Sequence, residues 1–150
     1  MFNSLVPQVV IQEVPGEISL LFSITGCDIG CAGCHSTELW NEANGIPLTE
    51  QRFEMFLAQY KDFISCILFF GGEWQPHELI NRLKIARQQG FKTCLYSGRN
   101  DISNQIKPHL DYLKLGKYDQ TLGGLASATT NQRFYDLTTN QIINSKFIPN

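Results

Sequence analysis

Residues 65–98 read SCILFFGGEWQPHELINRLKIARQQGFKTCLYSG, which predicts a strand, a helix and a second strand in succession. The apolar run at residues 65–70 is short and stops at a pair of glycines, as a buried strand often does. Pro76 then favours the first turn of a helix, and Gly90 suits the position just past its C-terminus. The run at residues 91–96 is again strand-like. Two strands joined by a helix normally lie parallel with a right-handed crossover, so this unit predicts an α/β fold.

The chain before this unit contributes two more predicted strands and one helix. Residues 8–14 and 17–25 have strand-like composition and are separated by a Pro15-Gly16 turn. Thr49 is a favourable helix N-cap. Apolar side chains recur after it at helical spacing, namely Phe53, Phe56, Leu57 and Tyr60. The resulting order of strand, helix, strand, helix, strand favours a parallel sheet.

The chain after this unit has a weaker pattern. Residues 102–107 predict a short helix broken by the following proline, and residues 111–115 predict the next strand. Residues 121–131 are rich in Gly, Ser, Thr and Asn, which is typical of a loop. Residues 133–137 and 141–147 predict a small terminal hairpin.

The composition indicates an ordinary soluble globular protein. Of 150 residues, 43% are hydrophobic and 17% are charged, and this length favours one domain spanning residues 1–150. A net charge of −2 gives no support for a nucleic-acid or membrane-surface partner. The longest apolar runs, residues 18–22 and 66–70, are far too short to span a bilayer. The N-terminus has no basic region followed by an apolar stretch, so the sequence does not indicate a secretory signal. The expected location is therefore the cytoplasm.

Three of the five cysteines lie close together, as Cys27, Cys31 and Cys34 with the spacing C-x3-C-x2-C. Thiolates are soft ligands that favour iron–sulfur clusters, zinc or Cu(I). Clusters that only transfer electrons usually take four cysteines. A trio therefore predicts a metal centre with one open coordination position, as catalytic metal sites have.

Two alternatives for the cysteines remain open. Zinc could be bound by the trio together with His35, although adjacent Cys34 and His35 would strain a tetrahedral site and no second ligand pair follows. Cys66 and Cys94 lie in apolar segments and are predicted to be small buried hydrophobic residues. Either of these two could instead supply a fourth cluster ligand.

Unusual residues follow each predicted strand of the parallel sheet. The cysteine trio follows the first, Gly71-Gly72-Glu73 the second, Ser97-Gly98 the third and Gly116 the fourth. Because ligands bind at the carboxyl ends of parallel strands, these residues predict one common site. Glycines allow a ligand to approach the backbone closely, and a carboxylate at Glu73 could meet the ammonium group of an amino-acid ligand.

The cysteine motif followed by Gly71-Gly72-Glu73 resembles the radical S-adenosylmethionine enzymes. Within them, the chain looks like the activating proteins of anaerobic (class III) ribonucleoside-triphosphate reductases. The segments that carry this second resemblance are residues 25–27, 33–36, 38–40, 68–73, 116–118 and 130–133. Trp74 departs from the wider family, in which proline commonly follows the Gly-Gly-Glu run.

The resemblance implies two cofactors. Cys27, Cys31 and Cys34 would hold three irons of a [4Fe–4S] cluster, and S-adenosylmethionine would chelate the fourth iron through its amino and carboxylate groups. No side chain is expected to act as a catalytic acid or base, because the cofactors carry the chemistry.

The resemblance also implies how the protein binds S-adenosylmethionine. Gly71, Gly72 and Glu73 would receive the methionine ammonium. Ser97 would meet the ribose or the carboxylate, and Gly116 would lie near the adenine.

The implied activity is activation of another enzyme. Reductive cleavage of S-adenosylmethionine would generate a glycyl radical on an anaerobic ribonucleoside-triphosphate reductase, with a flavodoxin-type electron donor. The alternatives are activation of another glycyl-radical enzyme of the pyruvate formate-lyase type, or a non-catalytic zinc-binding interaction module. Residues 38–44 and 121–133 are candidate docking surfaces for the partner.

The implied fold is part of a barrel. A complete (β/α)8 barrel needs roughly 200 residues or more. We therefore expect a partial, TIM-like (β/α) barrel with a parallel sheet that is open at one side, which would admit a macromolecular substrate.

Overall fold

The computed structural model describes residues 2–26 and 44–148 as a mixed α/β fold. The elements of these residues are β1 (Asn3–Ser4), β2 (Gln8–Val10), β3 (Ser19–Ser23), β4 (Ile46–Pro47), α1 (Glu50–Tyr60), β5 (Cys66–Phe70), α2 (Pro76–Gln88), β6 (Lys92–Tyr96), β7 (Tyr112–Leu115), β8 (Arg133–Asp136) and β9 (Gln141–Ile142), with 3-10 helices at Lys107–His109 and Asn144–Phe147. The strand–helix–strand unit predicted from residues 65–98 is thus confirmed as β5, α2 and β6.

The main sheet has seven strands in the described residues, in the order β2-β3-β5-β6-β7-β8-β9. Its four central strands, β3, β5, β6 and β7, run parallel, as predicted. Antiparallel strands flank them, with β2 on one side and the β8–β9 hairpin on the other. The sheet is open, with β2 and β9 at its edges. A TIM-like barrel is not shown.

One face of the sheet is covered by the two helices. Thr49 caps α1, because its Oγ1 accepts a hydrogen bond from the amide of Arg52 at 3.1 Å. Pro76 begins α2, and Gly90 follows its C-cap residue with φ +91°. Both helices bury apolar side chains against aromatic residues of the strands, and Phe22 and Phe69 stack there with ring centroids 5.6 Å apart.

The opposite face would line the interior of a barrel, but here it is filled by the protein's own side chains. Its buried residues are Val14, Leu21, Cys66, Leu68, Cys94, Phe134 and Ile143. The segment between β2 and β3 lies across this face, where the Tyr96 hydroxyl donates to the Glu13 carbonyl and the Tyr112 hydroxyl donates to the Glu17 carboxylate at 3.1 Å. This face of the sheet is therefore packed by the protein's own residues.

The structure differs from the sequence prediction in a few elements. The helix predicted at residues 102–107 is wrong. The Ser103 hydroxyl accepts a hydrogen bond from the Gln105 amide, and helical structure there is confined to the 3-10 helix that contains Pro108. Strands β1 and β4 were not predicted because two residues are too few to show any periodicity. No helix among residues 2–26 and 44–148 is long and apolar enough to cross a membrane.

Candidate functional site

The four parallel strands end at one edge of the sheet, and backbone hydrogen bonds join the residues that follow them. The Ile24 amide donates to the Phe70 carbonyl at 2.9 Å, and the Gly71 amide donates to the Tyr96 carbonyl at 3.0 Å. The Ser97 amide donates to the Lys114 carbonyl at 2.9 Å, and the Gly116 amide donates to the Arg99 carbonyl at 2.8 Å. Gly71, Ser97 and Gly116 are therefore held side by side. This common edge, at the carboxyl ends of β3, β5, β6 and β7, was predicted from the sequence.

Glu73 presents a buried carboxylate at this edge. Its side chain is 3% exposed, and its Oε1 accepts a hydrogen bond from the Ser97 hydroxyl at 2.9 Å. The Nε of Arg99 lies 3.4 Å from the same oxygen, and the Arg99 amide donates to the Ser97 hydroxyl at 3.1 Å. Glu73 and Arg99 form a charge pair, and Ser97 fixes the position of the carboxylate.

The glycines before Glu73 are required by the backbone and by close packing. Gly71 and Gly72 have φ values of +79° and +104°, which side chains rarely allow. A Cβ on Gly71 would lie 2.6 Å from the Trp74 ring, and a Cβ on Gly72 would lie 3.1 Å from the Phe2 ring. The space that a Cβ would fill is thus occupied by the protein's own aromatic rings, and Trp74 closes the turn where proline was expected.

Gly116 forms a second turn with a positive φ at the same edge. Its φ is +111°, and a Cβ there would lie 2.9 Å from the Cα of Gln132. Gln132 donates from Nε2 to the Gly116 carbonyl at 3.3 Å, and Asn131 donates from Nδ2 to the Lys117 carbonyl at 2.9 Å. A surface pocket of about 340 Å³ adjoins this turn. It is lined by Lys117, Tyr118, Asp119, Gln120, Thr121 and Asn131.

Lys114 adds a buried positive charge beneath the edge. The residue is 8% exposed, and its Nζ donates to the carbonyls of Ser97 and Gly116, each at 3.2 Å. The ammonium also lies 5.5 Å from the centroid of the Tyr96 ring, a favourable cation–π distance. Lys114 therefore ties the ends of β6 and β7 together.

Sequence reasoning missed Arg99, Lys114 and Gln132 as residues of this edge. A signal existed for Lys114, because a single charge inside the otherwise apolar strand β7 needs a buried partner. Arg99 directly follows Ser97-Gly98 and could have been included with them. Gln132 lies in the segment 130–133 that carries the resemblance, but its contact with Gly116 depends on the pairing of β8 with β7.

The predicted cluster ligands Cys27, Cys31 and Cys34, together with His35 of the zinc alternative, lie outside the described residues. In residues 2–26 and 44–148, no group of three or more His, Cys, Asp or Glu side chains could hold a metal.

The two remaining cysteines are buried, as predicted. Both are completely inaccessible to solvent. Burial raises the pKa of Cys66 from 9.0 to about 12, and burial raises the pKa of Cys94 well above its ordinary value. Cys66 begins β5, so about 13 Å of strand separates it from the site edge. Cys66 therefore lies at the opposite end of β5 from this edge.

Comparison with known proteins agrees with an iron–sulfur protein. Residues 14–143 match the family model described as a 4Fe-4S single cluster domain. The pyruvate formate-lyase-activating enzyme of Clostridium pasteurianum is 31% identical over 109 residues, covering 67% of this chain and 45% of that enzyme. The chain thus spans about half the length of the curated relative it matches. Because the family match takes in most of the chain, including Cys27, Cys31 and Cys34, the protein belongs to the 4Fe-4S single cluster domain family.

Proposed function

We propose that the protein is a radical S-adenosylmethionine enzyme that generates a glycyl radical on a partner enzyme. Cys27, Cys31 and Cys34 would hold a [4Fe–4S] cluster with one iron left for S-adenosylmethionine. The observation that carries this proposal is the C-x3-C-x2-C motif inside a region that matches a 4Fe-4S single cluster domain. When bound, the reduced cluster supplies the electron that cleaves the cofactor.

The residues of the site edge suit the methionine part of S-adenosylmethionine. That part carries an ammonium group and a carboxylate, and the edge offers an acidic and a basic side chain within 3.4 Å of each other. Glu73 would receive the ammonium, and Arg99 would meet the carboxylate. Because Glu73 is buried, its attraction for a cation is screened less than it would be at the surface.

The remaining site residues would position the cofactor. Ser97 would hold the Glu73 carboxylate in place and meet the cofactor at the end of β6. Gly71 and Gly72 would shape the turn that presents Glu73. Gly116 would lie near the adenine, beside the pocket at residues 117–121. No proton transfer by a side chain is required.

A protein substrate suits this architecture better than a small molecule. The face that would line a barrel interior is filled with buried side chains, which leaves the carboxyl edge for the substrate. A glycine-bearing loop of a partner could reach this edge.

We favour an anaerobic ribonucleoside-triphosphate reductase as the partner, with a flavodoxin-type electron donor. Two segments that resemble its activating proteins, residues 116–118 and 130–133, contact each other through the Asn131–Lys117 and Gln132–Gly116 hydrogen bonds. The second candidate is a pyruvate formate-lyase, which the 31% identity to a pyruvate formate-lyase-activating enzyme supports.

The activity is tested by anaerobic reconstitution followed by metal and sulfide analysis. About four irons per chain with visible absorption support the proposal, whereas one zinc and no colour would refute it. The reconstituted protein is then mixed with reductant, S-adenosylmethionine and each candidate partner in parallel. An electron paramagnetic resonance doublet on one partner identifies the substrate, and reduction of the cluster without cleavage of S-adenosylmethionine would leave only electron transfer.

A further inference from the structure

The N-terminal strand joins the two ends of the cysteine-bearing segment. β1 pairs with β4, where the chain returns from that segment, and Ser4 forms a bridge with Ile24, where the chain leaves. The Thr25 amide donates to the Asn3 carbonyl at 2.9 Å, and the Leu48 amide donates to the Phe2 carbonyl at 2.8 Å. The residues that flank the cysteine-bearing segment on both sides therefore contact the same short N-terminal stretch.

Phe2 connects this strand to the turn before Glu73. Its side chain is buried at 5% exposure, and its ring lies against Gly72, 3.1 Å from the position of a Cβ there. The same ring packs near Phe69 at a centroid distance of 6.3 Å. A shift of β1 would therefore disturb both the ends of the cysteine-bearing segment and the Gly71-Gly72 turn.

Arg82 also holds the chain where it follows the cysteine-bearing segment. It is an arginine of α2 that is only 4% exposed, and its Nε and Nη2 both donate to the Leu48 carbonyl, at 3.2 and 2.7 Å. Its guanidinium lies 5.3 Å from the centroid of the Phe2 ring and forms a 3.0 Å ion pair with Glu78. A buried charge is costly unless it is paired, so a guanidinium in this position is expected to have a specific role.

We propose that Phe2 and Arg82 are positioning residues that fix the ends of the cysteine-bearing segment relative to the Gly71-Gly72 turn. We call this pair the Phe2–Arg82 anchor. The inference rests on the proposed function, because it matters where a cluster and a cofactor must meet within a fraction of an ångström. The anchor acts through Leu48 and Gly72 and needs no contact with either cofactor.

The first test measures amide hydrogen exchange in the protein without cofactors. Arg82→Met keeps the apolar stem and removes every donor, and Arg87→Met is the matched control from the same helix. Arg87 pairs with Asp111 at 3.1 Å. We expect the protection of the Leu48 amide to fall by about tenfold or more in Arg82→Met and to stay unchanged in Arg87→Met. Arg82→Met removes the hydrogen bonds to the Leu48 carbonyl, whereas Arg87→Met removes only hydrogen bonds to Pro108 and Asp111. Equal protection of Leu48 in the two variants would overturn the proposal.

The second test measures the consequence for cofactor binding. After anaerobic reconstitution, Arg82→Met should bind S-adenosylmethionine about tenfold more weakly than Arg87→Met. Its cluster should also show an altered electron paramagnetic resonance signal. Arg82→Lys retains a cation and should recover part of the affinity. Unchanged affinity and signal in Arg82→Met would contradict the anchor.

If Arg82→Met does not fold, Phe2→Leu replaces it as the test variant. Phe2→Leu removes the aromatic ring and keeps an apolar side chain. The same loss of protection at Leu48 is expected, and wild-type protection would again overturn the proposal. Failure of the proposed function looks different. The wild-type protein would then assemble no four-iron cluster, while the exchange measurement would still decide whether the anchor holds Leu48.

Discussion

Replacing Glu73 by glutamine removes the negative charge of the site and leaves its shape almost unchanged. The glutamine oxygen can still accept the 2.9 Å hydrogen bond from Ser97, so the turn should keep its structure. The 3.4 Å ion pair with Arg99 is lost, together with the charge that would receive the methionine ammonium. A hydrogen bond to a charged group contributes about 1.5–3 kcal/mol. At about 1.4 kcal/mol per factor of ten, the affinity for S-adenosylmethionine should fall by roughly 10- to 100-fold.

The measurement is the equilibrium binding of S-adenosylmethionine to anaerobically reconstituted protein. Glu54→Gln is the matched control, because it removes a carboxylate from the exposed side of α1. Iron content and melting temperature should be the same in wild-type protein and in both variants. If Glu73→Gln binds S-adenosylmethionine as tightly as Glu54→Gln does, the assignment of Glu73 to the ammonium is refuted.

The remaining predictions concern the cysteines and the turn. Cys31→Ala should abolish cluster assembly and Cys66→Ala should preserve it, as measured by iron analysis; loss of iron in Cys66→Ala would contradict our ligand assignment. Because burial raises the pKa of Cys66 from 9.0 to about 12, the unfolded thiol ionises first, and stability present below pH 9 should be lost as the pH rises towards 12. The free energy of unfolding, measured by chemical denaturation, should fall less between about pH 8 and about pH 10.5 in Cys66→Ala than in the wild-type protein. An identical fall in the two proteins would exclude this contribution. Gly72→Ala should lower the free energy of unfolding by about 1–3 kcal/mol in a urea titration, because φ +104° strains a side chain; an unchanged midpoint and slope would show that the turn adapts.

The sequence predicts the centre of the fold well because the signals there are local. Pro76 and Gly90 mark the ends of α2, and the short apolar runs on either side are bounded by turn residues, as buried strands are. The carboxyl edge follows from the parallel arrangement of those strands. Consequently, the shared position of Glu73, Ser97 and Gly116 at one edge of the sheet could be predicted from the order of the elements alone.

Several features that escaped prediction depend on residues that are distant in the chain. Arg82 is an ordinary helix residue by sequence, and only the fold brings it to the Leu48 carbonyl. Phe2 and the two-residue strand β1 form too short a stretch to show periodicity. The glycines illustrate the same limit. Their lack of a Cβ suggested room for a ligand, whereas Trp74 and Phe2 occupy the space that a Cβ would fill.

The Gly71-Gly72 turn requires both a positive φ and close packing against aromatic rings. These two requirements determine which substitutions can test the cofactor site. A side chain on Gly72 strains the backbone and pushes on Phe2, so a loss of cofactor affinity there would combine packing with binding. Glu73→Gln changes the charge without changing the packing. A variant pair in which Gly72→Ala lowers both stability and affinity while Glu73→Gln lowers affinity alone would separate the two effects. If both variants lost stability equally, the buried carboxylate would hold the turn together through Ser97 and Arg99 instead of holding a cofactor.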